Sequence, residues 1–174
     1  MPNLSIPYYC AEGDEAVETL GPDGKTVMHV EFRISGTPRA QPRGRKSKHS
    51  NRPYNPAGNI IENFRTQVRK QLMSPQTPVF GPKVQVRIDC WFGFGRARSH
   101  YGKDGVLKST APHYPGVADV DNLSKLIMDG LEGILYKNDN QIVTVRAGKR
   151  YIARPSDGQT VIIARIAKTP RPFR

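Results

Sequence analysis

The sequence predicts a single α+β domain, and three observations carry that expectation. Alternating apolar and polar residues, the mark of half-buried strands, recur near the start, in the middle and near the end of the chain. Two intervening stretches repeat apolar residues at helical spacing. The resulting order, β-α-β-α-β-β, lacks the regular βαβ repetition of a doubly wound sheet. With 174 residues, 37% of them hydrophobic, the chain supports one core and not two.

Each element follows from its local pattern. Residues 1–25 hold Glu12, Asp14, Glu15, Glu18 and Asp23 against Lys25 alone, with Gly13, Gly21, Pro22 and Gly24 among them. That composition reads as an acidic, flexible or loosely packed extension, leaving the domain proper to 26–174. Val27 to Ser35 alternates, with Val30, Phe32 and Ile34 on one face, and predicts a strand. Ile60, Ile61, Phe64, Val68 and Leu72 predict an amphipathic helix over about 57–73, closed by Pro75 and Pro78. Val84, Val86 and Ile88 begin a second strand that continues through Trp91-Phe-Gly-Phe. Residues 95–115, rich in Gly, Arg, Lys, Ser and Pro, form a long basic loop. A helix is expected over about 122–134, with Leu123, Leu126, Ile127, Leu131 and Ile134 as its apolar stripe. Strands over about 141–151 and from Thr160 to Ile166 complete the domain, before a basic tail of Lys168, Arg171 and Arg174.

Charge narrows the function. A formal net charge of +12 points to a polyanionic partner, nucleic acid above all. No run approaches the roughly 18 apolar residues of a membrane span, and no strongly amphipathic basic helix suggests a membrane surface. The N-terminus lacks the basic and apolar regions of a secretory signal. Two cysteines, Cys10 and Cys90, are too few for a disulfide framework or a zinc site. A cytoplasmic setting is therefore expected. Much of the positive charge lies in one proline-rich stretch, where Arg39, Arg43, Arg45, Lys46, Lys48 and Arg52 are candidates for contacting DNA phosphates. A plain basic linker would have the same composition.

Against this background the acidic segment 119–139 stands out. Asp119 and Asp121 flank Val120, and in extended backbone that spacing sets both carboxylates on one face. Two adjacent carboxylates repel unless a cation lies between them, and hard oxygen ligands suit Mg²⁺, with Mn²⁺ as a substitute. The same residues also fit a helix N-cap and a turn acid, with Asp121 as the cap. Along the helix, Asn122, Lys125, Asp129 and Glu132 fall on one arc opposite the apolar stripe. Lys125 lies one turn after Asp121 and fits a phosphate-binding cation, or an i,i+4 partner of Asp121 or Asp129. Asp139 follows in a polar turn about 20 Å further along by helical rise, and spacing alone does not join it to the pair.

The run Asp119-Val-Asp-Asn-Leu-Ser-Lys, then Asp129-Gly-Leu, then Asp139-Asn-Gln-Ile-Val resembles the signature of RusA-type Holliday-junction resolvases, small nucleases of phages and prophages. The likeness is dense over 119–145, extends weakly to the first strand with its basic loop and to the last strand, and does not cover 1–25. Where that family often has Asp-Asp, this chain has Asn138-Asp139, keeping the second acid. The resemblance implies a homodimeric α+β domain with a mixed sheet. It implies Mg²⁺ held by Asp119, Asp121 and Asp139, with Lys125 as a catalytic cation and Asn122 and Asp129 in support. It implies hydrolysis of phosphodiesters in four-way or otherwise branched DNA, with no small-molecule cofactor and no membrane. A non-cleaving binder of branched or single-stranded DNA on the same fold is the alternative. It gains nothing from carboxylates set beside phosphates.

Overall fold

A computed structural model describes residues 29–42, 45–46, 53–54, 58–72, 79–152 and 157–167. The acidic stretch 1–25 lies outside the described residues, as do Arg43, Lys48, Arg52 and the basic tail. In chain order the elements are β1 (His29–Ser35), β2 (Arg45–Lys46), β3 (Pro53–Tyr54), α1 (Gly58–Gln71), β4 (Val86–Gly95), α2 (Val120–Leu131), β5 (Ile142–Ile152) and β6 (Gly158–Ile166). Single 3₁₀ turns occupy Arg98–His100 and Asp139–Gln141. The α+β class and the order of the main elements agree with expectation. The addition is a two-residue hairpin, β2 with β3, inside the stretch expected to be loop.

The main sheet has the order β1-β6-β4-β5. β6 runs antiparallel to both of its neighbours, whereas β4 and β5 are parallel, so the sheet is mixed. Parallel neighbours need a crossover, and α2 supplies it between β4 and β5. One row of the register, Phe32–Ile162–Cys90–Ala147, crosses all four strands on the face that meets the helices. There Ile88, Phe92, Phe94 and Ala164 join Phe64 and Val68 of α1 and Leu123, Ile127 and Leu131 of α2 in one core. Each of the larger side chains, Val, Leu, Ile or Phe, contributes about 1.5–3 kcal/mol on burial. Burial pushes the Cys90 thiol up to about 12, with the neighbouring Asp89 adding to the effect. Among the described residues no helix is long and apolar enough to cross a membrane.

α2 starts two residues before its expected beginning and ends three before its expected end. Its last turn stops at Leu131 because Glu132 is extended and Gly133 takes a φ of 76°, a left-handed conformation that glycine adopts without strain. Ile134, Leu135 and Tyr136 remain buried, but in the turn that follows the helix. Tyr136 seals this end, donating its hydroxyl to the Met128 carbonyl at 2.6 Å.

α1 packs on β1 and on α2. Gly130 permits the helices to approach closely, since a Cβ there would collide with the Phe64 ring. Arg65 bridges the contact, donating from Nε to the Gly130 carbonyl at 3.2 Å and from Nη2 to the Asp129 carbonyl at 3.0 Å. On the opposite face of the sheet, the buried Asp89 accepts from Arg87 Nε at 3.1 Å and pairs with Arg165 Nη2 at 3.0 Å. A buried carboxylate held by two guanidiniums is an internal brace of the sheet.

Gly130→Val tests the helix contact. Overpacking at this point is expected to cost about 1–3 kcal/mol, read in thermal unfolding as a midpoint roughly 3–10 °C lower. An unchanged midpoint would show that α1 does not lean on α2 at Gly130.

Candidate metal and DNA site

The site begins where the chain enters α2. Ala118 holds a φ of 58°, the one non-glycine residue with positive φ among those described. That conformation costs an L-residue on the order of 1–2 kcal/mol. Lys149, on β5, offsets it by donating from Nζ to the Ala118 carbonyl at 2.7 Å and to the Val117 carbonyl at 3.4 Å. The bend aims the next residue at the helix axis. Asp119, not Asp121 as expected, is the N-cap residue, with φ −78° and ψ 141°, and its side chain makes no capping bond. Its backbone carbonyl accepts from Leu123 N at 3.0 Å and starts the helix.

Both carboxylates are thereby left for other work. Asp119 and Asp121 are exposed at the positive end of the α2 dipole, which favours negative charge there. Asn122 Nδ2 donates to Asp119 Oδ2 at 3.4 Å and orients that carboxylate. Lys125 is exposed one turn further along.

The chain after β1 lies across the outward face of α2. Gln41 donates its backbone N–H to the Asn122 carbonyl at 3.1 Å and its Nε2 to Asp129 Oδ2 at 2.9 Å. Gln41 thus ties the chain after β1 to α2 at residues on either side of Lys125 in sequence. Asp129 serves this tether, two turns from Asp121. Arg39 is exposed on the same segment, and Arg45 and Lys46 form β2 beyond it. The loop from β4 to α2 occupies the same end of the sheet. Arg96 lies over the Tyr151 ring at 4.3 Å, His100 meets that ring edge-on at 5.3 Å, and Tyr101 bridges to Leu107. Lys103, Lys108, His113 and Tyr114 are exposed along this loop.

Asp139 sits elsewhere. Its 3₁₀ turn is built by Asn138, whose side chain accepts from Asn140 N at 2.9 Å. It is also built by the buried Gln141, which donates to the carbonyls of Gly81 and Val84 at 2.8 and 2.9 Å. This turn adjoins the C-terminal end of α2. The Tyr136 phenol there is pushed above its usual range, first by burial and then by Glu132, Cys90, Asp129 and Asp139. The length of α2 therefore separates Asp139 from the pair, roughly 18 Å at 1.5 Å per residue. Within one chain Asp119, Asp121, Asn122 and Lys125 follow one another over the first turns of α2. Asp121 is inside the helix and not in the extended backbone expected to set both carboxylates on one face, and Asp139 lies at the helix's other end. Among the described residues no group of three or more His, Cys, Asp or Glu is placed to hold a metal ion.

Two residues of this region went unremarked in the sequence reading. Lys149 is one of three cations on β5, and a signal for it did exist. It shares strand parity with Val145 and Ala147, hence the helix-facing side. Gln41 carries no such signal, because its role depends on a tertiary contact.

The family described as Endodeoxyribonuclease RusA matches residues 35–163, a span from the end of β1 into β6 that contains Asp119, Asp121, Asp129 and Asp139. No curated protein matches the chain.

Lys149→Met removes the cation that holds Ala118. Losing charged hydrogen bonds to two carbonyls is expected to cost about 1–3 kcal/mol in denaturant unfolding. A variant as stable as the parent would mean that the bend at Ala118 holds without Lys149.

Proposed function

The chain belongs to the RusA endodeoxyribonuclease family, and from that premise we propose that it cleaves branched DNA, four-way Holliday junctions foremost, with Mg²⁺ at Asp119 and Asp121. The observation that supports this most is the exposed carboxylate pair at the head of α2, in a chain of net charge +12, with Lys125 one turn further along and Arg39 exposed on the segment that Gln41 ties to α2. A binder of phosphates has no use for acids at that point unless they hold a cation.

The donor set fits the ion. Mg²⁺ is commonly held by one or two carboxylates, with water and substrate phosphate completing its shell, and Asp119 and Asp121 supply all-oxygen donors of that kind. Mn²⁺ fits the same donors. Bound there, the ion supplies Lewis-acid activation of water and neutralisation of phosphate charge. Asn122 keeps Asp119 oriented, and the positive end of the helix dipole attracts a negatively charged partner group at this point. Lys125 sets an ammonium where the scissile phosphate enters and where charge grows in the transition state. Arg39, Arg43, Arg45, Lys46, Lys48 and Arg52 grip flanking phosphates, bidentately where arginine does so. Asp139 is the third carboxylate in this reading, and lying at the far end of α2 it reaches the pair from a second chain.

Asp121→Asn keeps the shape and removes a charge. It is expected to reduce Mg²⁺-dependent cleavage of a labelled synthetic junction by at least about a hundredfold, on the scale of losing one transition-state electrostatic contact, while gel-shift binding persists. Cleavage at the parent rate would remove Asp121 from the site. Replacing Arg43, Arg45 and Lys46 together by Ala is expected to flatten the slope of log K against log salt by roughly 2 to 3, at about 0.9 per phosphate contact. An unchanged slope would take the segment off the DNA.

A further inference from the structure

Between α1, α2 and the end of β1 lies a cavity of about 430 Å³ that opens to solvent. Its floor is apolar: Phe92 comes from the sheet, Phe64 from α1, and Leu126 and Ile127 from α2, all of them buried. Its rim is polar and exposed. Asn63 and Gln67 stand there one turn apart on the same side of α1, with Ser35 and Arg39 contributed by the end of β1 and the chain after it. Neither side-chain amide has a hydrogen-bond partner among the described residues.

The wall that carries Arg39 is held in place at both ends. Gly36 donates its backbone N–H to the Gly158 carbonyl at 3.0 Å, and the Thr37 hydroxyl donates to the Asp157 carbonyl at 2.7 Å. Gln41 then fixes the segment to the Asn122 carbonyl. The cavity is therefore preformed. A volume within about 300–1,000 Å³, an apolar floor and a few polar groups at the mouth are the marks of a site for a small flat group.

Position and chemistry select the occupant. Leu126 follows Lys125 directly and stands five residues after Asp121, roughly 7.5 Å along the helix axis at 1.5 Å per residue. Nucleotides of one DNA strand rise about 3.4 Å each, so a strand held at the acidic pair carries a base to the cavity within a few steps. Phenylalanine rings and aliphatic side chains suit the faces of a base. A side-chain amide offers a donor and an acceptor together, which matches the hydrogen-bonding edge of a base.

We propose that this cavity receives one base extruded from the DNA strand beside the branch point, with Asn63 and Gln67 bonding its edge and Arg39 holding its phosphate. A base pair at an open branch point lacks a stacking neighbour on one side. Its base leaves the helix at lower cost than one within continuous duplex, just as an unpaired base does. The cavity thereby favours branched over linear DNA, at a place separate from the carboxylates. The choice of a DNA base as occupant rests on the reading above.

Fluorescence of 2-aminopurine, which rises when the base leaves the stack, tests the cavity without cleavage. The label is placed in turn at the positions flanking the branch point of a synthetic four-way junction, and protein is added without Mg²⁺. The parent is expected to raise the signal at one of these positions and at none in linear duplex. The Asn63→Ala, Gln67→Ala double variant, altered only at exposed helix positions where alanine is well tolerated, is expected to lose that rise. It is also expected to bind the junction about 5- to 150-fold more weakly, the loss of a bidentate base contact, with affinity for linear duplex unaltered. A double variant that matches the parent in signal and affinity, or that loses duplex and junction binding equally, overturns the proposal. A parent that cuts junctions in Mg²⁺ but raises the signal at no position overturns the cavity's role and leaves the nuclease reading standing. A parent that shows the rise, lost in the double variant, yet cuts no junction supports the cavity and defeats the nuclease reading.

Discussion

The parallel pairing of β4 with β5 constrains everything else about the site. Parallel neighbours cannot be joined by a tight turn, so the chain leaves β4 at one end of the sheet and returns along α2 to enter β5 at the other. The stripe Leu123, Ile127 and Leu131 fixes α2 on the sheet, and the Tyr136 hydroxyl and Gly133 close its far end. The head of α2 and the turn before β5 are therefore held a helix length apart. Asp119 and Asp121 belong to one end and Asp139 to the other.

Electrostatics then gives the two ends different characters. A strongly basic chain keeps an exposed acidic pair where a helix dipole, an asparagine amide and a strained Ala118 all serve to present it. Lys149 contributes by anchoring the approach through the Ala118 carbonyl, and Gln41 ties the chain after β1, which carries Arg39, to α2. Other acids have structural duties. Asp89 braces the opposite face of the sheet between Arg87 and Arg165, and Asp129 receives Gln41. Cys90, with its thiol pushed up to about 12, is a core residue rather than a nucleophile.

Much of this was legible beforehand where periodicity carried it. The alternation of Val30, Phe32 and Ile34 and the stripe of α2 identify their elements, because burial on one face writes a period into the sequence. The hairpin of Arg45–Lys46 with Pro53–Tyr54 is too short to write one. Asp-Val-Asp announces a carboxylate pair, but either aspartate suits an N-cap; the left-handed turn at Ala118 selects Asp119. The distance of Asp139 follows from the rise of the helix, whereas the parallel crossover, which no local pattern reveals, decides that the chain does not fold back to close it.

The most direct test of the central claim is paramagnetic broadening of backbone amide signals by Mn²⁺ in the full-length protein. Selective loss of the signals of residues 118–122 at substoichiometric Mn²⁺, reversed by excess Mg²⁺, is the result predicted for an ion held by Asp119 and Asp121. Signals of 118–122 that stay sharp while others broaden would place the ion elsewhere and contradict the account.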